Sequence, residues 1–279
     1  MTGYHPIYRA YLKDVNPSFE LPLKIPPNLV LQSAEEAPAI PGEADPVLRR
    51  DADCVLDVCD VEERRAMVMV INWISAVRIA SACSVVVVGY CSASGSSQES
   101  TEVGSILWGH HTPELSEDDV AFTSKHFDVF MGLLMAESYS RIANALRLHS
   151  AAVHTRNCDL ALLGFVGAIE SLFSIAPQEL SFRLSLLVAK FFGGDSGQQR
   201  QLFDRVRALY KVRSKIAHGD KIASTEEAAA IEIADYWTPE AGEIARRSLK
   251  RIFEKKLTPI FNSRKQHEKL LIDLLFEQT

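Results

Sequence analysis

Eight of the twelve prolines lie within the first 60 residues: Pro6, Pro17, Pro22, Pro26, Pro27, Pro38, Pro41 and Pro46. Each proline fixes φ and removes a backbone donor, so long helices are excluded here and extended segments joined by turns are favoured. Residues 19–25 and 28–31 are candidate short strands, or segments that lie along a neighbouring bundle. Helix is expected only from about residue 61, where the prolines thin out.

Residues 66–91 form a long apolar stretch with Arg78 near its middle. A central arginine costs about 2.5–3.5 kcal/mol on membrane insertion, and Asn72, Ser75 and Arg78 recur every third residue as a slanting polar stripe. At Val85-Val86-Val87-Val88 the character turns β-branched. A buried helix over residues 61–82 followed by a strand fits this better than a membrane span. Two strand-like runs, 85–91 and 103–108, flank the Ser-rich segment 92–101, which reads as the loop of a hairpin.

From Ser116 the chain reads as nearly continuous helix. Ser116 and Asp119 resemble a capping pair before Phe122, Phe127 and Phe130. Helices are expected over residues 138–154, with His149 on the core stripe, and over 159–174, apolar almost all round and therefore central. Glu170 interrupts the latter, and a buried carboxylate must find a partner. A helix from Pro177 to Gly193 follows, then one over 197–218, then helices over 223–235, 239–256 and 265–278. The division expected is an N-terminal region, 1–115, and a helical domain, 116–279.

The helix over 197–218 ends in Tyr210-Lys211-Val212-Arg213-Ser214-Lys215-Ile216-Ala217-His218-Gly219. Arginine is a permanent forked cation suited to phosphate oxygens, and histidine moves protons near neutrality. Gly219 suits a left-handed helix stop, and His218 then lies at the negative end of the helix dipole. The spacing by itself is unspecific: an Arg on a solvated face and a His capping the last carbonyls fit it equally. Five residues are about 140° of helix, so one straight helix does not aim both side chains at one phosphate.

Three blocks in order add to this pair: Gly167-Ala168-Ile169-Glu170-Ser171-Leu172-Phe173, then Glu179-Leu180-Ser181-Phe182-Arg183-Leu184, then residues 209–219. Together they resemble the Apea-like branch of the HEPN (higher eukaryotes and prokaryotes nucleotide-binding) superfamily. The resemblance implies a mainly α antiparallel helical bundle, preceded here by an irregular or β-containing N-terminal region. It also implies a homodimer and a metal-independent endoribonuclease built on an R-x4–6-H motif, as in toxins and phage-defence effectors. By that resemblance Arg213 and His218 are catalytic, with Ser214, Lys215, Tyr210 and Glu170 in support. Ser214 stands where many HEPN nucleases carry Asn, Asp or His. That leaves open the alternative of a non-catalytic module binding RNA, nucleotide, or a protein partner or regulator.

Composition narrows the classes. The net charge of −6 argues against a blanket nucleic-acid binder, but residues 180–279 hold 18 Lys+Arg against 13 Asp+Glu, so the part with the motif is locally positive. Five scattered cysteines (Cys54, Cys59, Cys83, Cys91 and Cys158) and no secretory signal pattern lead to an expectation of reduced thiols and a cytoplasmic protein. Neither Cys54 and Cys59 nor His110, His111 and His126 have metal-ligand spacing, and phosphate-cradling glycine motifs are absent, so no metal and no cofactor are expected.

Overall fold

The computed structural model describes residues 6–40, 46–82, 85–94, 97–99, 114–135, 140–155, 157–174, 180–221 and 225–276. The chain divides into two compact units, Met1–Gly132 and Leu133–Thr279. It is mostly helical, with an antiparallel sheet confined to the N-terminal unit.

The first unit contains β1 (Pro6–Lys13), β2 (Leu23–Ile25), β3 (Leu29–Ser33), the short helix α1 (Pro46–Arg50), β4 (Cys54–Cys59), α2 (Glu63–Ala80), β5 (Val86–Ser92) and β6 (Ser97–Glu99). It also takes most of α3 (Glu117–Met135). The strands lie in the order β2-β3-β4-β1-β5-β6, each pair antiparallel. One face carries Tyr8, Ala10, Leu12, Leu31, Leu56 and Val58, which bury Met69, Val70, Trp73 and Val77 of α2. Val120 and Phe127 of α3 join this core. That is why residues 117–132, grouped by sequence with the helical region, cluster with the sheet. The opposite face packs Tyr11 and Val55 beneath Ala34, Ala37, Ile40 and Leu48.

Arg9 and Asp57, paired across β1 and β4, sit on that second face. Both side chains are wholly buried. Arg9 Nε and Nη2 donate to the two Asp57 oxygens at 2.6 and 2.8 Å, and Gln32 Nε2 donates to the same carboxylate at 2.5 Å. A paired geometry of this kind offsets the desolvation of two charges, which either alone would not survive.

The hairpin differs from the sequence reading: β5 pairs with Ser97–Glu99, inside the segment read as its loop. Residues 103–108, the expected partner strand, lie outside the described residues. Arg78 is buried, and its guanidinium donates to the carbonyl of Val85, where the chain enters β5. No helix among the described residues is long and apolar enough to cross a membrane.

The second unit contains α4 (Arg141–Val153), α5 (Cys158–Phe173), α6 (Leu180–Phe192), α7 (Ser196–His218) and α8 (Glu226–Glu232). A π-helical turn (Ile233–Trp237), α9 (Thr238–Glu254), α10 (Thr258–Asn262) and α11 (Arg264–Phe276) complete it. Side-chain caps open these helices: Ser140 for α4, Asn157 for α5, the reciprocal Asp195–Gln198 box for α7 and Thr225 for α8. Helix α5 packs against α4, α6, α7 and α9. Its last turn is held by Arg141, which donates to the carbonyls of Ser171 and Ser174 at 3.2 and 2.9 Å. His267 of α11 is fully buried against Phe261, its Nε2 2.6 Å from the Leu172 carbonyl.

Two expected outcomes follow from these buried groups. Asp57→Ala strands a buried guanidinium and lowers stability by about 3–5 kcal/mol, whereas Arg9→Met with Asp57→Leu recovers most of the loss; urea titration of the three proteins decides it, and a wild-type midpoint for Asp57→Ala overturns it. Burial, first, and then the charge of Arg141 lower the His267 pKa below its ordinary 6.5, against the hydrogen bond to Leu172. The unfolded chain therefore takes up the proton first, and stability is lost as pH falls from about 6.5 toward the folded-state value. Melting curves between neutral and mildly acid pH flatten in His267→Gln; an unchanged slope removes His267 as the cause.

Candidate functional site

Helix α7 presents a buried and an exposed face. Phe203, Val206, Leu209 and Val212 are buried and fix its rotation on the bundle. Arg207, Lys211, Lys215 and His218 recur at intervals of four, four and three, which places them on one exposed stripe. Arg200 and Arg205, also exposed, are engaged by Asp204 and Glu240. Among the described residues Arg207, Lys211 and Lys215 form no ion pair, so the stripe is a row of uncompensated cations ending in an imidazole.

Arg213, four residues beyond Leu209 and seven beyond Val206, continues the buried face at the seam with α5. Its side chain is 30% exposed, and Nη2 sits 3.5 Å from a Glu170 carboxylate oxygen, itself on a side chain only 19% exposed. The guanidinium also stands 5.7 Å from the centre of the Tyr210 ring, one turn back on α7. Burial drives the Glu170 carboxyl pKa above the usual range, and the Arg213 charge offsets part of that rise. Burial and the Glu170 charge likewise raise the Tyr210 phenol, against Arg213. Glu170 Oε1 and Arg213 Nε are buried with no hydrogen-bond partner among the described residues. The pair is a single long contact, and a guanidinium held that loosely retains donors for another acceptor.

The terminus of α7 closes as its residues require. Gly219 is left-handed at φ 71°, its N–H donates to Ile216 O at 3.2 Å, and Asp220 N–H donates to Lys215 O at 2.8 Å. This 6→1 and 5→2 pairing is the Schellman arrangement, and it holds His218 in the last helical turn. His218 is exposed there. The helix stays regular through the motif, so about 140° and a rise of about 7.5 Å separate Arg213 from His218. Arg213, Tyr210 and Glu170 are therefore brought together, while His218 and Lys215 lie on the other stripe. Ser214 is half-buried between the two and makes no side-chain hydrogen bond among the described residues.

A second cluster escaped the sequence reading. Phe192 at the end of α6 and Arg247, Lys250, Arg251 and Glu254 of α9 line a groove of about 170 Å³. The doublets Arg246-Arg247 and Lys250-Arg251, four residues apart after Phe191-Phe192, were the available signal. Among the described residues no group of three or more His, Cys, Asp or Glu is placed to hold a metal ion. Comparison with protein-family models, with curated proteins and with solved structures finds no match to this chain.

The raised Glu170 pKa has a testable sign. The folded state holds that proton more tightly than the unfolded chain, so ionisation subtracts stability as pH rises from the ordinary value of 4.5 through the raised one. Glu170→Gln removes this loss, and its melting temperature at neutral pH equals or exceeds that of the parent. A marked fall in melting temperature shows instead that the Arg213 ion pair outweighs the desolvation of the carboxylate.

Proposed function

We propose that the protein is a metal-independent endoribonuclease of HEPN type, its second unit being a HEPN-like bundle. One observation carries the reading: a half-buried guanidinium, positioned by Glu170 and Tyr210, shares a helix with an exposed histidine at the end of a row of unpaired cations. The cations draw the RNA backbone to α7. His218, acting as base, takes the proton of a ribose 2′-OH; the 2′-oxygen attacks the adjacent phosphorus. The 5′-oxygen leaves and takes a proton from the imidazolium so formed, directly or through water, giving a 2′,3′-cyclic phosphate and a 5′-OH end. Arg213 balances the charge that builds on the phosphate oxygens.

The 140° offset asks for a second chain. In a homodimer with two α7 helices meeting at a two-fold axis, Arg213 of one protomer and His218 of the other face one groove, since an isologous contact supplies each residue twice. RNA is the substrate partner in this reading, and a phage-defence or toxin role is the biological setting that the motif suggests.

Glu170 favours a second reading, a non-catalytic module that binds RNA, nucleotide or a protein partner at the same surface. A carboxylate beside Arg213 competes with phosphate for the guanidinium. Purified protein incubated with total RNA in EDTA separates the two. The nuclease reading expects cleavage with cyclic phosphate ends, about 10²–10⁴-fold slower in His218→Ala. Arg213→Lys, which keeps the charge and loses the fork, also slows it severely with little change in melting temperature. Activity that needs magnesium, or that survives both substitutions, removes this mechanism. Mixing Arg213→Lys chains with His218→Ala chains restores part of the rate if the site is shared.

A further inference from the structure

The groove at the end of α6 and α9 differs in kind from the rest of the charged surface. Two nearby arginines are spent within the chain: Arg246 of α9 grips Glu243 with two hydrogen bonds of 2.9 Å, and Arg205 of α7 engages Glu240. Arg247 and Arg251 are used differently. Their guanidinium centres lie 4.9 Å from the Phe192 ring centre and 5.6 Å from that of Phe191. A cation–π contact holds a guanidinium beside a ring while its N–H groups stay available to an acceptor. Side chains held in this way lose less freedom when a ligand arrives.

Charge in the groove is unbalanced. Three cations, Arg247, Lys250 and Arg251, face one carboxylate, Glu254, which forms no ion pair among the described residues. Arg247 is in a long i,i+4 ion pair with Glu243, at 4.0 Å. Complementing the helix dipole explains only Arg251, because that effect fades within the last turn and Arg247 and Lys250 lie further back. Lys255 and Lys256, both exposed, extend the positive rim. The groove's 170 Å³ equals roughly six waters at about 30 Å³ each, which admits a phosphate with part of its ester.

We propose that this groove binds a phosphate ester, with Arg247 and Arg251 clamping the phosphate oxygens and Lys250 adding a third charge. The site is separate from Arg213 and His218 and stands whether or not the chain cleaves RNA. Two sources share this chemistry: a free nucleoside monophosphate and the backbone of a single-stranded RNA. Adenosine monophosphate and a fluorescent 2′-O-methyl oligonucleotide, which resists 2′-OH attack, are titrated against the full-length protein, with inorganic phosphate as competitor. The test variant is Arg247→Gln with Lys250→Gln, at an exposed and a half-buried position, neither within the buried core, so its melting curve stays close to that of the parent.

Binding that weakens by about tenfold or more in the variant, and is displaced by inorganic phosphate, is the expected result. Monophosphate binding is the same in His218→Ala, which separates this site from the proposed catalytic one. Tight binding of the monophosphate assigns a nucleotide. Binding of the oligonucleotide alone, with a salt dependence that flattens by about 0.7 per lost contact, assigns an RNA strand. Absence of binding by both titrated probes at millimolar concentration overturns the proposal, as does monophosphate binding that the double variant leaves intact.

Discussion

In the second unit everything is arranged around the burial of α5. Eight of its residues, from Ala161 to Phe173, are removed from solvent, and a fully buried Leu or Phe contributes roughly 1.5–3 kcal/mol. A helix so apolar must be covered on several sides at once, and α4, α6, α7 and α9 do so. Gly164 sets how closely α4 approaches: a Cβ there would lie 2.9 Å from the Ala152 Cβ and 3.3 Å from the Leu148 carbonyl oxygen. The charged site is a by-product of the same packing. Glu170 is the one carboxylate in the later part of α5, and the helix that covers it brings Arg213.

The first unit handles buried charge by another route. Its sheet is covered on both faces, so a polar residue on either central strand has no water to turn to. Arg9 and Asp57 answer each other across β1 and β4 in a two-bond geometry, and Gln32 from β3 adds a second donor to Asp57 Oδ2. The contrast with Glu170 and Arg213 is one of degree of closure. Full burial demands two short bonds; partial burial at a helix seam tolerates one long contact and leaves the guanidinium available.

How much of this was legible depended on exposure contrast. The helices of the second unit could be read because their polar faces alternate with apolar ones at helical spacing, and because Gly219 punctuates the end of α7. Glu170 stood out as a lone acid in an apolar run. Strands β1 and β4 could not be read: all six residues of Cys54–Cys59 are buried, so the inside-outside alternation that betrays a strand is missing. The charges of Arg9 and Asp57 made these runs look still less like core. Strand β6, Ser-Gln-Glu, has no strand signal at all and exists through pairing with β5. The groove on α9 was hidden because Phe191-Phe192 and Arg247 are far apart in sequence, and doublets of arginine and lysine ordinarily mark a solvated face.

The position of His218 turns on helix geometry that no local adjustment relieves. The Schellman closure keeps α7 regular to its last residue, and a regular helix sets the imidazole about 140° from the guanidinium. Within one chain the two residues therefore serve different surfaces, Arg213 at the α5 seam and His218 on the outer cationic stripe. A reaction that needs both at one phosphate must either melt the final turn, giving up the two hydrogen bonds that close it, or recruit the second residue from a partner. The second route costs no structure that the chain has already built. It also makes use of the stripe of Arg207, Lys211 and Lys215, which in a lone chain merely repels itself. Two such stripes repel each other more strongly still, so a dimer through α7 is electrostatically favoured only when a polyanion lies between them. In the nuclease reading proposed above, substrate and second subunit are in that sense the same requirement, RNA being the ligand that assembles the site on which it is cut.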